Sequence, residues 1–197
     1  MEKKFNILTF IAPFLSYIDS GKLFRKPFGW LYMALAGVNA VLPFYLLYKA
    51  IDSGIFKYAD AKAVIAFIFA WLFVLAACWV GFQIWWDRKD KVLETSQDGA
   101  EFPVTPVIAH LVQTIGEWLG SLIAIAGFGI SLCALVFLGN EAGELSYIFG
   151  GFNFVSFGAL GLILNPIIGF LMIVVFRYFA ELLRALAAIA NNTKKEI

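Results

Sequence analysis

The sequence predicts an all-α membrane protein built as a bundle of four transmembrane helices. Four runs without a charged residue cover positions 27–48, 63–86, 118–140 and 145–176, and each exceeds the roughly 20 residues that a helix needs to cross hydrocarbon. Hydrophobic residues make up 61% of the chain, against about 45–50% in soluble domains. The 15 Lys and Arg residues all lie outside these runs.

The chain is expected to form a single membrane domain over 1–197. An apolar stretch at about 5–18 is too short to span, and because no small-residue cleavage site follows it, we expect an N-terminal interfacial helix there. The predicted spans follow the apolar runs and their helix signals. They lie at about 29–49, 63–86, 105–138 and 152–191.

The third and fourth helices are expected to extend beyond the membrane. Thr105 and Pro106 supply an N-cap hydroxyl and a first-turn proline, and no stop signal follows before Leu138. A helix of that length measures about 50 Å, well beyond the roughly 30 Å of hydrocarbon. The last helix can likewise continue to Asn191, so we expect cytoplasmic extensions of helices three and four.

Basic residues predict the orientation of the bundle. If the four spans alternate in direction, twelve of the 15 Lys and Arg residues fall on one side, and only Lys49, Lys57 and Lys62 fall on the other. Cytoplasmic flanks carry the excess of basic residues. Both termini and the loop at 87–105 are therefore predicted to be cytoplasmic.

Two polar stripes can meet where the third and fourth helices leave the membrane. Polar residues on the third helix recur at spacings of three and four, as do three charged residues on the fourth, so each set occupies one helix face. The set is either a structural cluster of ion pairs that orients the helices or a contact for a ligand or lipid headgroup. It comprises His110, Gln113, Glu117, Arg177, Glu181 and Arg184.

Asn39 and Asn165 are candidate polar positions near mid-membrane. Each lies close to a proline in an otherwise apolar run, and irregular helices at that depth are typical of transporter sites. Asparagine also forms ordinary hydrogen bonds between membrane helices. The two residues therefore leave a small channel or transporter open as an alternative function.

No pattern in the sequence indicates catalysis, a cofactor or a metal. The chain has one histidine and two cysteines, Cys78 and Cys133, which fall inside spans with no ligand spacing. A net charge of +1 gives no basic field for nucleic acid. We therefore expect no enzyme activity, no cofactor and no nucleic-acid partner.

The C-terminal pattern Arg177-x-x-x-Glu181-Leu182, followed by Ile189-Ala190-x-Asn192-Thr193, resembles the end of a family of uncharacterised bacterial membrane proteins. The central segments Gln-Ile-Trp-Trp-Asp-Arg and Gly-Glu-Trp are also similar to Bacteroidetes-type multi-pass inner-membrane proteins of unknown function. The resemblance implies a bacterial inner-membrane location and brings no activity with it.

The function expected from these patterns is that of a non-enzymatic subunit or scaffold in a membrane complex or homo-oligomer. Its partners would be the lipid bilayer, anionic headgroups at the basic side, and a membrane protein or a second copy of the chain. The alternative is a channel or transporter for an ion or small solute. A packed interior with an exposed apolar face would favour the scaffold, and a water-filled cavity would favour the alternative.

Overall fold

The computed structural model describes residues 22–94, 104–139 and 158–193, together with positions 11 and 13. Four long helices account for nearly all of these ranges, which contain no strand. They are α1 (Lys22–Asp52), α2 (Ala61–Glu94), α3 (Val104–Leu138) and α4 (Gly158–Thr193). Because each is long and apolar enough to cross a membrane, the predicted all-α fold is confirmed and the chain is a multi-pass membrane protein.

The helix bounds extend the predicted spans at several ends. α1 begins at Lys22 and α2 ends at Glu94, because the helical backbone continues through the charged segments that flank the apolar runs. The predicted interfacial helix at 5–18 and the start of the fourth span at 152 lie outside the described residues, apart from positions 11 and 13.

A tight turn joins α1 to α2 and makes them antiparallel neighbours. Gly54 adopts a left-handed backbone with φ 68°, which glycine tolerates without strain, and a single 3₁₀ turn at Ile55–Lys57 follows. Pro43 lies inside α1, and its carbonyl accepts a hydrogen bond of 2.8 Å from the indole of Trp71 on α2. This bond ties the two helices together within the apolar layer.

The central element is α3. Half of the residues in its most apolar stretch are buried within the bundle, against 17% in α4. It packs along α4 on one side and against α2 on another, while α1 packs mainly on α2. As a result, α4 keeps a long face that the described part of the bundle does not cover.

Two π-helical segments interrupt α3, at Ile123–Gly127 and Ala134–Leu138. The wider turn of a π-helix changes which residues face a neighbouring helix. A Cβ atom built on Gly127 would come within 2.8 Å of the Asn165 side chain on α4, and one on Gly129 would overlap Phe73 on α2. Small residues in α3 therefore let both neighbours approach closely.

Buried apolar residues form two clusters along the bundle. One packs Phe67, Val74, Ile130 and Cys133 together in α2 and α3. The other packs Tyr32, Trp85 and Val107 together where α1 and α3 begin and α2 ends. The C-terminal part of α4 lies at the same end of the bundle. Because most of the basic residues lie at this end, we call it the basic end.

Candidate functional site

The side chain of Glu117 on α3 joins three helices at the basic end. Arg177 of α4 donates from Nε and Nη2 to Glu117 Oε1, at 2.9 and 2.8 Å. Gln113, one turn earlier on α3, donates to the same oxygen at 3.0 Å. Arg88 of α2 donates from Nη2 to Oε2. One carboxylate therefore holds α2, α3 and α4 in register.

Gln113 extends this arrangement along α4. Its amide oxygen accepts a hydrogen bond of 2.6 Å from Nη2 of Arg184, while its amide nitrogen donates to Glu117. The spacing of four residues on α3 and seven on α4 places these groups on facing helix sides. We call Arg88, Gln113, Glu117, Arg177 and Arg184 the Glu117 network.

The Glu117 network contains one carboxylate and three guanidinium groups. The side chain of Glu117 is 11% exposed and that of Arg88 is 18% exposed, whereas Arg177 is 53% exposed. A buried ion pair is stable only if its geometry is good and if further hydrogen bonds satisfy the remaining polar atoms. Glu117 meets both conditions, through Arg177 and Gln113. The network is therefore built as a structural clamp with surplus positive charge at its edge.

Helix length places the Glu117 network at the depth expected for a membrane boundary. Glu117 precedes the end of α3 at Leu138 by about 31 Å of helix, and Arg177 follows the start of α4 at Gly158 by about 28 Å. These lengths match the roughly 30 Å of hydrocarbon. A carboxylate at this depth faces headgroups and water on one side, which fits an anchor better than a proton relay across the membrane.

His110 belongs to a second, buried cluster. The hydroxyl of Tyr32 on α1 lies 2.9 Å from His110 Nδ1 and donates to Thr114 Oγ1 at 3.2 Å. Thr114 in turn donates to the backbone carbonyl of His110 at 2.7 Å. The ring of Trp85 packs edge-on against Tyr32, with centroids 4.9 Å apart. The histidine thus links α1 to α3 within the protein.

Asn39 is bonded within the bundle close to the Glu117 network. Its side-chain oxygen accepts a hydrogen bond of 2.8 Å from the indole of Trp118, the residue after Glu117. Its amide nitrogen donates to the carbonyl of Leu35 at 2.8 Å. A Cβ atom on Gly81 would overlap Asn39, so the glycine makes room for this contact between three helices.

Asn165 lies at a different depth. It donates to Ser131 on α3 at 3.0 Å and packs on Gly127. Ser131 and Trp118, the partners of the two asparagines, are separated by about 20 Å along α3. Asn39 and Asn165 therefore form two separate interhelical contacts instead of one polar level.

Sequence reasoning identified part of this arrangement. The structure brings Gln113, Glu117, Arg177 and Arg184 together, places His110 with Tyr32, and leaves Glu181 exposed on α4. The contact of Arg88 with Glu117 was not predicted, because a charged residue directly after an apolar run is typical of any membrane boundary. Tyr32 was missed because a tyrosine in an apolar run gives no polar pattern. Only the matching depth of Arg88 and Glu117 could have indicated their contact.

Clefts in the described residues open at the sides of the bundle. One, of about 480 Å³, lies between α1 and α2 and is lined by Asn39, Pro43, Leu72, Cys78 and Trp79 among others. Its lining is almost entirely apolar. Within the described ranges, no group of three His, Cys, Asp or Glu residues is placed to hold a metal ion.

Comparison of the chain with family models, with curated proteins and with solved structures finds no match.

Proposed function

We propose that this protein is a non-enzymatic subunit or scaffold of a membrane complex, and that α4 presents the surface that docks its partner. The proposal is carried by one observation: an apolar face of α4 is left uncovered by the described residues from Leu164 to Ile189, including the part beyond the membrane boundary. Glu117 supports this role by fixing α4 to the rest of the bundle through Arg177.

The uncovered face follows helical spacing. Its large side chains recur every three or four residues and all are exposed. We call this set the α4 stripe: Leu164, Ile167, Leu171, Val174, Tyr178, Leu182, Leu186 and Ile189.

Lipid tails can cover only part of the α4 stripe. The hydrocarbon ends near Arg177, and positions 178–189 continue for about 18 Å of helix beyond it. Leu186 and Ile189, which are 62% and 63% exposed, lie in this part. Apolar surface outside the hydrocarbon is typical of a protein interaction site. We therefore infer a membrane-protein partner or a second copy of the chain that packs along α4.

The proposed setting is a bacterial inner membrane with both termini in the cytoplasm. The orientation is supported by the excess of basic residues at the basic end, which includes Lys26, Arg88, Lys89 and Arg184. The bacterial setting is supported by the resemblance of the C-terminal pattern. In this orientation the extended part of α4 reaches the cytoplasmic side, where a partner can have soluble segments.

The channel alternative gains no support from the positions of the two asparagines. A polar site near mid-membrane would need the two asparagines at the same depth. Asn39 instead bonds to Trp118 and Asn165 to Ser131, and Trp118 and Ser131 lie about 20 Å apart along α3. Each is buried in a contact between helices.

The test is the mass of the intact assembly after gentle purification from the native membrane. We expect the wild type to run with a partner or as an oligomer, and Leu186→Glu with Ile189→Glu to release the monomer. Ala188→Glu is the matched control, because Ala188 is exposed at the same end of α4 but lies off the stripe. A monomeric wild type without a partner, or equal release by the control, would contradict the proposal.

A further inference from the structure

We propose that the bundle holds one phospholipid through its phosphate group, in a cleft between the beginning of α1 and the end of α2. The cleft is open to the surface and has a volume of about 480 Å³, within the roughly 300–1,000 Å³ typical of small-molecule sites. We call it the basic cleft. It is lined by Lys26, Gly29, Trp30, Met33, Lys89 and Asp90.

The basic cleft lies at the depth of lipid headgroups. Lys89 follows Arg88, which bonds to Glu117 at the membrane boundary. On the α1 side, Tyr32 packs on Trp85 with centroids 4.9 Å apart, so the residues just before Tyr32 lie beside the residues just after Trp85. Both walls of the cleft therefore reach the same level, where the phosphates of one leaflet are found.

The charges in the cleft suit a single phosphodiester. Lys26 comes from α1 and Lys89 from α2, so two ammonium groups can approach one phosphate from different helices. Asp90 contributes one negative charge, which leaves a net charge of +1. A lysine ammonium binds phosphate as a point charge with three donors.

A ring holds Lys89 at this level. Its ammonium lies 3.3 Å from the centroid of the Trp86 ring, an attractive cation–π arrangement. Trp86 stacks on Phe82, which stacks on Trp79, with centroid separations of 5.6 and 5.4 Å. These three stacked rings form a row, the aromatic ladder, that extends along α2 from the cleft toward the hydrocarbon layer.

The apolar surface beside the charges identifies the ligand as a lipid rather than a soluble phosphate. Trp30 is 65% exposed and Met33 is also exposed, and both line the cleft. Together with the ladder of Trp79, Phe82 and Trp86, they offer acyl chains a surface directly next to the phosphate position. A soluble phosphate would use the lysines alone.

The experiment uses the full chain in mild detergent, stripped of lipid and titrated with phosphatidylglycerol, with bound copies counted by native mass spectrometry. We expect one saturable lipid in the wild type. Lys26→Gln with Lys89→Gln should weaken its binding about 30-fold, from the loss of two lysines near a phosphate. Lys57→Gln with Lys62→Gln is the matched control at the opposite end, and its affinity should not change.

Two further measurements test the charge of the cleft and the need for acyl chains. Asp90→Asn removes the negative charge in the cleft and should strengthen binding, which a purely structural role for Asp90 would not do. Glycerophosphate at the same concentration should not displace the lipid. Equal affinity in the two double-lysine variants, or displacement of the lipid by glycerophosphate, would overturn the proposal.

Discussion

Arg177 donates two hydrogen bonds to one carboxylate oxygen of Glu117, from Nε at 2.9 Å and from Nη2 at 2.8 Å. The other oxygen of the carboxylate is then available to Arg88. Because these arginines belong to α4 and α2, the central helix is fixed to both neighbours through one side chain. Charge-assisted bonds of this kind are stronger than neutral ones and set the geometry of their partners.

Glu117→Gln should destabilise the protein more than Asn39→Ala does. The amide keeps the shape of the side chain but removes the negative charge, which leaves Arg88 and Arg177 unpaired beside each other. Removing one partner of a largely buried ion pair costs about 3–5 kcal/mol in free energy of unfolding. The cost is smaller here because water can solvate the exposed Arg177. Asn39→Ala removes neutral hydrogen bonds, at about 1–2 kcal/mol.

Thermal unfolding in detergent measures both changes. Glu181→Gln is the matched control for the charge, because Glu181 lies exposed on α4, and its melting temperature should stay at the wild-type value. Equal melting temperatures for Glu117→Gln and Asn39→Ala would show that the Glu117 carboxylate is not the main contact between these helices.

The contact between Glu117 and Arg177 follows from information in the sequence. Helical spacing puts each residue on a polar stripe, and each directly flanks an apolar run, Glu117 before the run at 118–140 and Arg177 after the run at 145–176. The contribution of Arg88 does not follow in this way. Its depth is readable, but the rotation of α2 about its own axis depends on how Ala70, Val74 and Ala77 pack against other helices, and no charge pattern reports that rotation.

The apolar runs predicted the four helices because crossing hydrocarbon requires length and low polarity, and both can be counted. The two π-helical segments of α3 were not predicted. The close fit of Gly127 against Asn165 and of Gly129 against Phe73 was not predicted either, because it is a property of the packed bundle. The bond between Tyr32 and His110 depends on tertiary packing in the same way.

Gly120→Ala should disrupt the contact between α3 and α4. A Cβ atom there would overlap the backbone carbonyl of Gly169 and come within 2.6 Å of Ile173, and a backbone atom cannot move aside as a flexible side chain can. Overpacking of this kind costs about 1–3 kcal/mol. The melting temperature in detergent should therefore fall.

Gly37→Ala is the control for the helix propensity of alanine. A Cβ atom on Gly37 meets nothing within 4 Å, so the substitution should leave stability unchanged or raise it by about 0.4–1 kcal/mol. A drop of similar size in both variants would show that the close approach of α3 and α4 does not matter for stability.

Tyr32→Phe should weaken the packing of α1 against α3. The hydroxyl contacts His110 and Thr114 at 2.9 and 3.2 Å in a site where Tyr32 is fully buried. Removing it takes away the partner of the buried His110 Nδ1, whereas Thr114 keeps its bond to the His110 carbonyl, and the expected cost is about 1–3 kcal/mol. Tyr58→Phe is the control, since Tyr58 is 92% exposed, and its melting temperature should match the wild type. Equal melting of the two variants would show that the buried hydroxyl contributes nothing.

Single cysteines at the two ends of the bundle should report its orientation. Ser53→Cys lies in the turn between α1 and α2 and Asn192→Cys lies near the end of α4, and both positions are exposed. The native Cys78 and Cys133 are only 1% and 2% exposed, so they should contribute little background.

Since the basic end carries the Lys and Arg excess, it should face the cytoplasm. A maleimide that cannot cross membranes should label Ser53→Cys in whole cells and label Asn192→Cys only after the cells are opened. The reverse pattern would contradict the orientation, and labelling of both from outside would contradict the crossing of the membrane between them.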